Sequence, residues 1–235
     1  AQHTSKVRLS ALVTGNTYRN PTLLAKTITT LDHVSAGRAT LGLGCGWFEK
    51  EHTDLGFEFG TFGERFEKLD EALQIIGPML RAEPITLSVK YYSTLDAVNS
   101  PAPISRIPIM IGGGGEKKTL RMVAQYADES NLICETDEIP RKLEALAAHC
   151  ERLGRNRDEI TVTKLMMVAV APTMEELEAD LDAIAQLKNW PDAIKDMIRG
   201  RLIYGDPDTV GERLADAVAK GLDGLTVDLP LNGHN

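Results

Sequence analysis

Cysteine is scarce in this chain. Three occur, Cys45, Cys134 and Cys150, and no two form a C-x-x-C pair. A set so sparse and odd excludes a disulfide framework and points to a reducing cytoplasm. The five histidines are scattered, none at metal-ligand spacing from another His or Cys, so no metal centre is expected. No apolar run approaches the about 20 residues of a membrane-spanning helix. Basic blocks are missing too: 26 Lys and Arg stand against 34 Asp and Glu, a formal net charge of −8. That balance argues against nucleic acid and anionic membrane surfaces as main partners. There is also no low-complexity linker, tandem repeat or composition break to set off a second domain. Residues 1–235, 43% hydrophobic and 26% charged, read as one globular domain.

What is present is alternation of strand and helix signals. Apolar, β-prone runs lie at 7–13, 39–43, 108–111, 131–134, 160–170 and 224–229. Amphipathic segments separate them. Asn20 and Pro21 start the first helix as N-cap and N1, with Leu24, Ile28, Leu31 and Val34 at helical spacing and Gly37 as its stop. A second helix carries Phe66, Leu69, Leu73 and Ile76 on one face, and Gly77-Pro78 is expected to kink or end it. A later helix turns Leu143, Leu146, Cys150 and Leu153 inward, and Thr173 with Glu176 forms a capping box. Residues 82–106 break the rhythm. They are β-prone and then Pro-rich, an insertion, of hairpin type, before the next core strand. Apolar strands alternating with helices predict a parallel sheet covered by helices, either an open doubly wound sheet or a barrel. The dinucleotide fingerprint of the open sheet is not met by "GLGCGWFEKEH", whose glycines have the wrong spacing.

In both architectures ligands sit at the carboxyl ends of the strands, and three such ends stand out. After "IPIMI" come Gly112, Gly113, Gly114 and Gly115 and then a helix. A glycine-rich strand-to-helix turn lets backbone N–H groups approach an anion, and a phosphate is the natural occupant. A tight turn needing positive φ accounts for one or two of these glycines, not so readily for four. After "ATLGL" comes "GCGWFEKEH". Gly44 and Gly46 admit a flat ligand, Trp47 and Phe48 offer aromatic walls, and Glu49, Glu51 and His52 supply titratable groups. His52 can act as acid or base near neutral pH if it points inward, although a polar rim loop would look the same. Cys45 carries no mark of an activated thiolate, and Met166-Met167 reads as core packing. After "RLSALV", Thr14, Gly15 and Asn16 suggest a bulge, with Asn16 able to bond the edge of a polar heterocycle. An ordinary turn capped by Asn20 is the simpler alternative there.

The stretches "VTGNTYRNPTLLAKTITTLDHVSAGRATLGLGCGWFEKEHTDLGFEFGTFGERFEKLDEAL", "IPIMIGGGGEKKTLRMVAQYADESNL" and "GDPDTVGERLADAVAKGLDGLTVDLP" together resemble the bacterial luciferase-like superfamily. More narrowly, the chain resembles its actinobacterial branch of deazaflavin (coenzyme F420)-dependent oxidoreductases. The resemblance implies a TIM (β/α)8-type barrel, a homodimer, and a deazaflavin whose phosphate lies at Gly112, Gly113, Gly114 and Gly115. It implies a non-proline cis peptide at Thr14-Gly15-Asn16 behind the ring, and a ring or substrate wall from Gly44, Cys45, Gly46 and Trp47. The sugar-phosphate dehydrogenases of this branch carry a catalytic acid where Trp47 stands, so that role does not transfer; Glu49, Glu51 and His52 are the nearby substitutes, none of them assigned by the resemblance. The implied chemistry is hydride transfer between the deazaflavin and a small organic substrate. The same fold also serves FMN-dependent monooxygenases and non-catalytic flavin- or deazaflavin-binding proteins.

The six strands fall two short of the eight of a TIM barrel. The bulge-bearing first strand matches the family's third, and "AQHTSKVRLS" resembles the tail of its second helix. The expectation is therefore a barrel whose first two βα units are lacking in this chain, one that the family continues past "LPLNGHN" into a final helix.

Overall fold

A computed structural model describes residues 1–231. The closing residues, at which the sequence reading looks ahead to a final helix, lie outside the described residues. The chain forms two compact units, Ala1–Ser130 with Ala145–Thr161, and Asn131–Glu144 with Val162 onward.

The first unit begins with β1 (Thr14–Gly15), α1 (Pro21–Val34), β2 (Leu41–Gly44), α2 (Glu49–Leu55) and α3 (Phe62–Leu80). A hairpin follows, β3 (Ile85–Ser88) and β4 (Ser93–Ala97), and then β5 (Ile109–Gly112) and α4 (Thr119–Tyr126). β6 (Glu129–Leu132) and α5 (Ile139–Leu153) run across the division of the chain. β1 pairs parallel with β2, and β2 with β5, in the registers Gly15↔Gly44 and Leu43↔Ile111. Parallel pairing brings the carboxyl ends of all three strands to one side.

Local chemistry explains these elements. Asn20 Oδ1 accepts from the Thr22 and Leu23 amides ahead of Pro21, so α1 starts where the N-cap signal places it. Its buried face is Leu24, Ala25, Thr29 and Asp32, while Val34 is exposed, contrary to the periodicity. The polar members of that face hold the insertion. Asn99 donates to Thr29 at 2.6 Å, and Asp32 accepts from the Ile104 and Ser105 amides and the Ser105 hydroxyl at 2.7–3.0 Å. α3 buries Phe66, Leu69, Leu73 and Ile76 as expected, opened by a capping box of Thr61 and Glu64. Gly77-Pro78 does not end it, because a proline three residues from the end removes only one helical N–H; the helix runs on to Leu80. The hairpin is antiparallel, and its turn is fixed to α3 by Glu71, which accepts from the Lys90 and Tyr91 amides.

The second unit contains β7 (Thr161–Val170), α6 (Met174–Leu187), α7 (Asp192–Arg201), β8 (Leu202–Gly205), α8 (Pro207–Ala219) and β9 (Gly224–Asp228). β7 pairs parallel with β9 through residues 163–167 and with β8 through residues 167–170. Val162, Lys164, Met166 and Val168 are its buried face, as strand alternation requires. From the other face Thr163 accepts, together with Thr226, from Asn131 Nδ2 at 2.9 and 3.0 Å. Ala169, Ala171, Leu177 and Leu202 form a small core. Thr173 accepts from the Glu176 amide, and Asp206 caps α8 ahead of Pro207.

Several expectations need correction. Residues 7–13 are not a continuous strand: they give one bridge, Leu9 to Ala39, before β1. Between them the backbone closes onto β2, where the Ala11 carbonyl lies 2.0 Å from the place a Cβ on Gly42 would occupy. The strand expected at 131–134 lies two residues earlier, and Leu153 is exposed. β8 brings the parallel strands among the described residues to seven rather than six. Its four residues follow α7 directly, without a turn signal between them.

Candidate functional site

The carboxyl ends of β1, β2 and β5 come together through one side chain. The methyls of Val13 lie 2.9 Å from the Cβ position of Gly44 and 3.0 and 3.1 Å from that of Gly112. A side chain at either glycine would collide with Val13, so both are glycine for packing. The non-proline cis peptide is Leu12–Val13, two residues ahead of the Thr14-Gly15-Asn16 position implied by resemblance. Gly15 itself is extended, at φ −73° and ψ 128°, and it is Val13 that the cis bond precedes and that fills the space between the strands.

The four-glycine turn divides by cause. Gly112 faces Val13. Gly113 has φ +133°, open in practice only to glycine, and a Cβ on Gly115 would meet Thr119 Oγ1 at 3.0 Å. The turn continues through residues 116–118 before α4 begins, with the Leu120 amide donating to the Gly115 carbonyl. Lys118 brings its ammonium 5.5 Å from the centre of the Phe62 ring. Arg65, on α3, approaches the same ring at 6.0 Å and stacks over Phe59 at 3.7 Å. Two cations thus stand beside an aromatic ring close to the turn. Arg65 is buried, donates through Nη1 to the Gly60 carbonyl at 2.8 Å, and leaves Nε without a partner. An orphaned guanidinium N–H in a buried position is costly unless a ligand meets it.

Asn16 shows the same signature. It is buried, its Nδ2 donates to the Tyr92 hydroxyl at 3.3 Å, and its Oδ1 has no partner. Burial pushes the Tyr92 phenol up, which keeps it a neutral partner for Asn16. Thr14 accepts from Arg19 at 2.7 Å. Cys45 is half-buried, and burial pushes its thiol up against the opposing charge of Arg65, so it is no ready thiolate.

The segment after β2 is partly helical. α2 takes up residues 49–55, which the sequence reading leaves as loop because only His52 on it is buried. Trp47 is 71% exposed and stacks on Phe48 with centroids 5.2 Å apart, and Glu49 is exposed. His52 is 0% exposed. Its Nδ1 donates to the Phe48 carbonyl at 2.7 Å, since a carbonyl can only accept, and its Nε2 lies 2.7 Å from Thr17 Oγ1. His52 and Glu49 are therefore not placed alike: one is enclosed behind the segment, the other stands at its surface. Arg65, Lys118, Thr17, Tyr18 and Tyr92 were not singled out from sequence. Arg65 alone gave a signal, a charge within the apolar face that continues to Phe66 and Leu69.

The second unit has its own cavity of about 400 Å³, with Cys134, Lys164, Met166, Arg201 and Leu202 in its wall. Lys164 is 8% exposed, and burial lowers its ammonium pKa. Among the described residues its Nζ meets the Leu165 carbonyl and Met166 sulfur, both at 3.3 Å. Among the described residues no group of three or more His, Cys, Asp or Glu could hold a metal ion, and no helix is long and apolar enough to cross a membrane.

Comparison with known proteins gives these features a context. Residues 1–224 match the family model described as luciferase-like monooxygenase. An F420-dependent glucose-6-phosphate dehydrogenase of Microbacterium testaceum is 31% identical over 175 residues, covering 72% of this chain and 51% of that protein. The chain thus spans about half the length of that relative. Among solved structures, an F420-dependent secondary alcohol dehydrogenase in complex with an F420-acetone adduct superposes with a TM-score of 0.83 at 18% identity, covering 97% of this chain and 76% of the other. The monooxygenase RslO1 from Streptomyces bottropensis gives a TM-score of 0.77 at 16% identity, with 97% and 72% covered. At such identities the likeness establishes the fold, the α/β barrel type of luciferase-like proteins.

Proposed function

The chain belongs to the luciferase-like monooxygenase family, and from that premise we propose that it is an oxidoreductase transferring a hydride between coenzyme F420 and a small organic substrate. The observation that carries this reading is the pair of orphaned polar atoms, Asn16 Oδ1 just after β1 and Arg65 Nε near the start of α3, with the glycine turn after β5. They fit a phosphate-bearing heterocycle: a guanidinium N–H for an anion and an amide oxygen for a ring N–H. In this reading Gly112, Gly113, Gly114 and Gly115, with Arg65 and Lys118, hold the phosphate. Thr14, Gly15 and Asn16 contact the heterocycle, and Gly44, Cys45, Gly46 and Trp47 line the ring or substrate side. When bound, the deazaflavin supplies the carbon that takes or gives the hydride. The protein's part is orientation, exclusion of water, and proton transfer through Glu49 or His52. The reading carries with it a cytoplasmic location, in keeping with the free thiols of Cys45, Cys134 and Cys150, and a homodimer.

Fluorescence titration tests the cofactor. Oxidised F420 should be quenched on binding, and Gly114→Val should weaken that binding by about tenfold or more, an expected loss of at least about 1.4 kcal/mol. Unchanged affinity in the variant overturns the phosphate assignment. An FMN-dependent monooxygenase is the second reading, in keeping with the monooxygenase family model and the likeness to the monooxygenase RslO1; tighter binding of FMN than of F420, with oxygen consumption on reduction, would replace a hydride carrier by a monooxygenase.

A further inference from the structure

We propose that Thr17, His52, Tyr18 and Glu51 form a proton relay from the strand ends of the first unit to its surface. Thr17 Oγ1 lies 2.8 Å from the Cβ position of Gly46 and 3.5 Å from that of Gly15, beside the ends of β1 and β2. Its hydroxyl is 2.7 Å from His52 Nε2, His52 Nδ1 is 3.1 Å from the Tyr18 hydroxyl, and that hydroxyl donates to Glu51 Oε2 at 2.5 Å. The Phe48 carbonyl fixes the direction. It accepts from Nδ1, so Nδ1 carries the hydrogen and Nε2 is free to accept from Thr17. Tyr18 has its own hydrogen committed to Glu51, which leaves its oxygen to share the Nδ1 hydrogen with Phe48. Every donor therefore points outward, Thr17 to His52 to Tyr18 to Glu51.

The chain is enclosed at His52 and open at its outer end. The rings of Tyr18 and Phe59 lie 4.4 and 4.8 Å from the imidazole, and His52 is fully buried while Glu51 is exposed. The titratable groups facing His52 are Tyr18, on the turn after β1, and Glu51, on its own helix. Arg65 of α3 meets the Phe59 ring, and Arg19 acts on Tyr18. Burial and then Glu51 push the Tyr18 phenol up to about 12, so it stays protonated as a relay requires.

The relay rests on the hydride-transfer reading. Taking a hydride from an alcohol carbon breaks a C–H bond, both electrons leave with the hydride to the oxidised deazaflavin, and the O–H proton remains to be removed. Received at Thr17 Oγ1, it displaces the Thr17 proton to Nε2, the Nδ1 proton to the Tyr18 oxygen, and the Tyr18 proton to the Glu51 carboxylate, which releases it to water. That pass leaves the hydrogen of His52 on Nε2, the arrangement from which reduction would run the chain inward.

Two measurements decide the matter. In protein without cofactor, ¹⁵N NMR should show His52 neutral, with Nδ1 protonated and Nε2 bare; a proton on Nε2 overturns the relay. With F420 and substrate, His52→Phe keeps a ring between Tyr18 and Phe59 and should lower kcat by about 100-fold with KM within about twofold. Thr17→Val should lose about tenfold and Thr17→Ser stay within about twofold, the solvent deuterium effect on kcat rising in the slow variants. A wild-type rate retained in His52→Phe, or Thr17→Ser as slow as Thr17→Val, sinks the relay and leaves the hydride-transfer reading standing. No F420-dependent turnover in the wild type sinks that reading instead, and the tautomer then decides whether the chain is a relay.

Discussion

The two units treat a buried charge differently. In the first, Asp32 is fully buried and accepts three hydrogen bonds from the 104–105 segment of the insertion. In the second, Lys164 is almost as deeply buried and has one carbonyl and one sulfur for company. A charge whose hydrogen bonds are all made organises the chain around it, whereas a charge with two long contacts, only partly offset by the field of Glu135, costs stability. Gly224 of β9 gives a second contrast, one not shared by Gly205 of β8, whose Cβ position meets Thr209 at 3.0 Å. The glycines of β2 and β5 are packed against backbone or against Val13, while Gly224 has only the Thr163 methyl nearby, at 3.8 Å from its Cβ position.

Breaking the tight side should have the largest effect. Gly42→Ala puts a methyl 2.0 Å from the Ala11 carbonyl and should cost more than about 3 kcal/mol, read from the urea midpoint. Asp32→Ala leaves three donors without their acceptor and should cost about 2–3 kcal/mol, with faster amide exchange at Ile104 and Ser105. Lys164→Met should go the other way, gaining about 1 kcal/mol and raising Tm by about 2–4 °C. The sign with pH follows from linkage. The folded pKa of Lys164 lies below its unfolded value of 10.5, so the unfolded chain holds more protons below that value. This group's contribution therefore improves as pH rises toward 10.5, a slope that Lys164→Met should remove. Gly224→Ala should be the mildest, within about 0.5 kcal/mol of wild type. A cost equal to that of Gly42→Ala would erase the contrast between the units.

Much of this was legible in the sequence because it is local. Asn20 before Pro21 and Thr173 ahead of Glu176 mark helix starts by chemistry contained in a few residues. The apolar spacing from Phe66 to Ile76 gives α3 its buried face. What was not legible depends on partners distant in sequence. α2 has one buried side chain and so no period to read, and Val34 loses its place because Thr29 and Asp32 are claimed by residues 99–105. The glycine turn invited a ligand-based explanation for all four residues, yet Gly112 answers to Val13 and Gly113 to its own φ. Gly114 remains the position on which the phosphate reading makes its sharpest demand. Arg65 and Asn16 were visible as letters, but only the structure shows which of their atoms lack partners.

Val13 has a consequence for how sequences of this fold can change. Its methyls occupy the space that Gly44 and Gly112 give up, so the three positions form a compensating set. Alanine at Gly44 should be harmful alone and better tolerated once Val13 is also reduced to alanine, a coupling that a double-mutant cycle measures directly. A library that randomises the strand ends one position at a time would discard such combinations, and with them altered floors for the site. Varying the three together would keep them within reach.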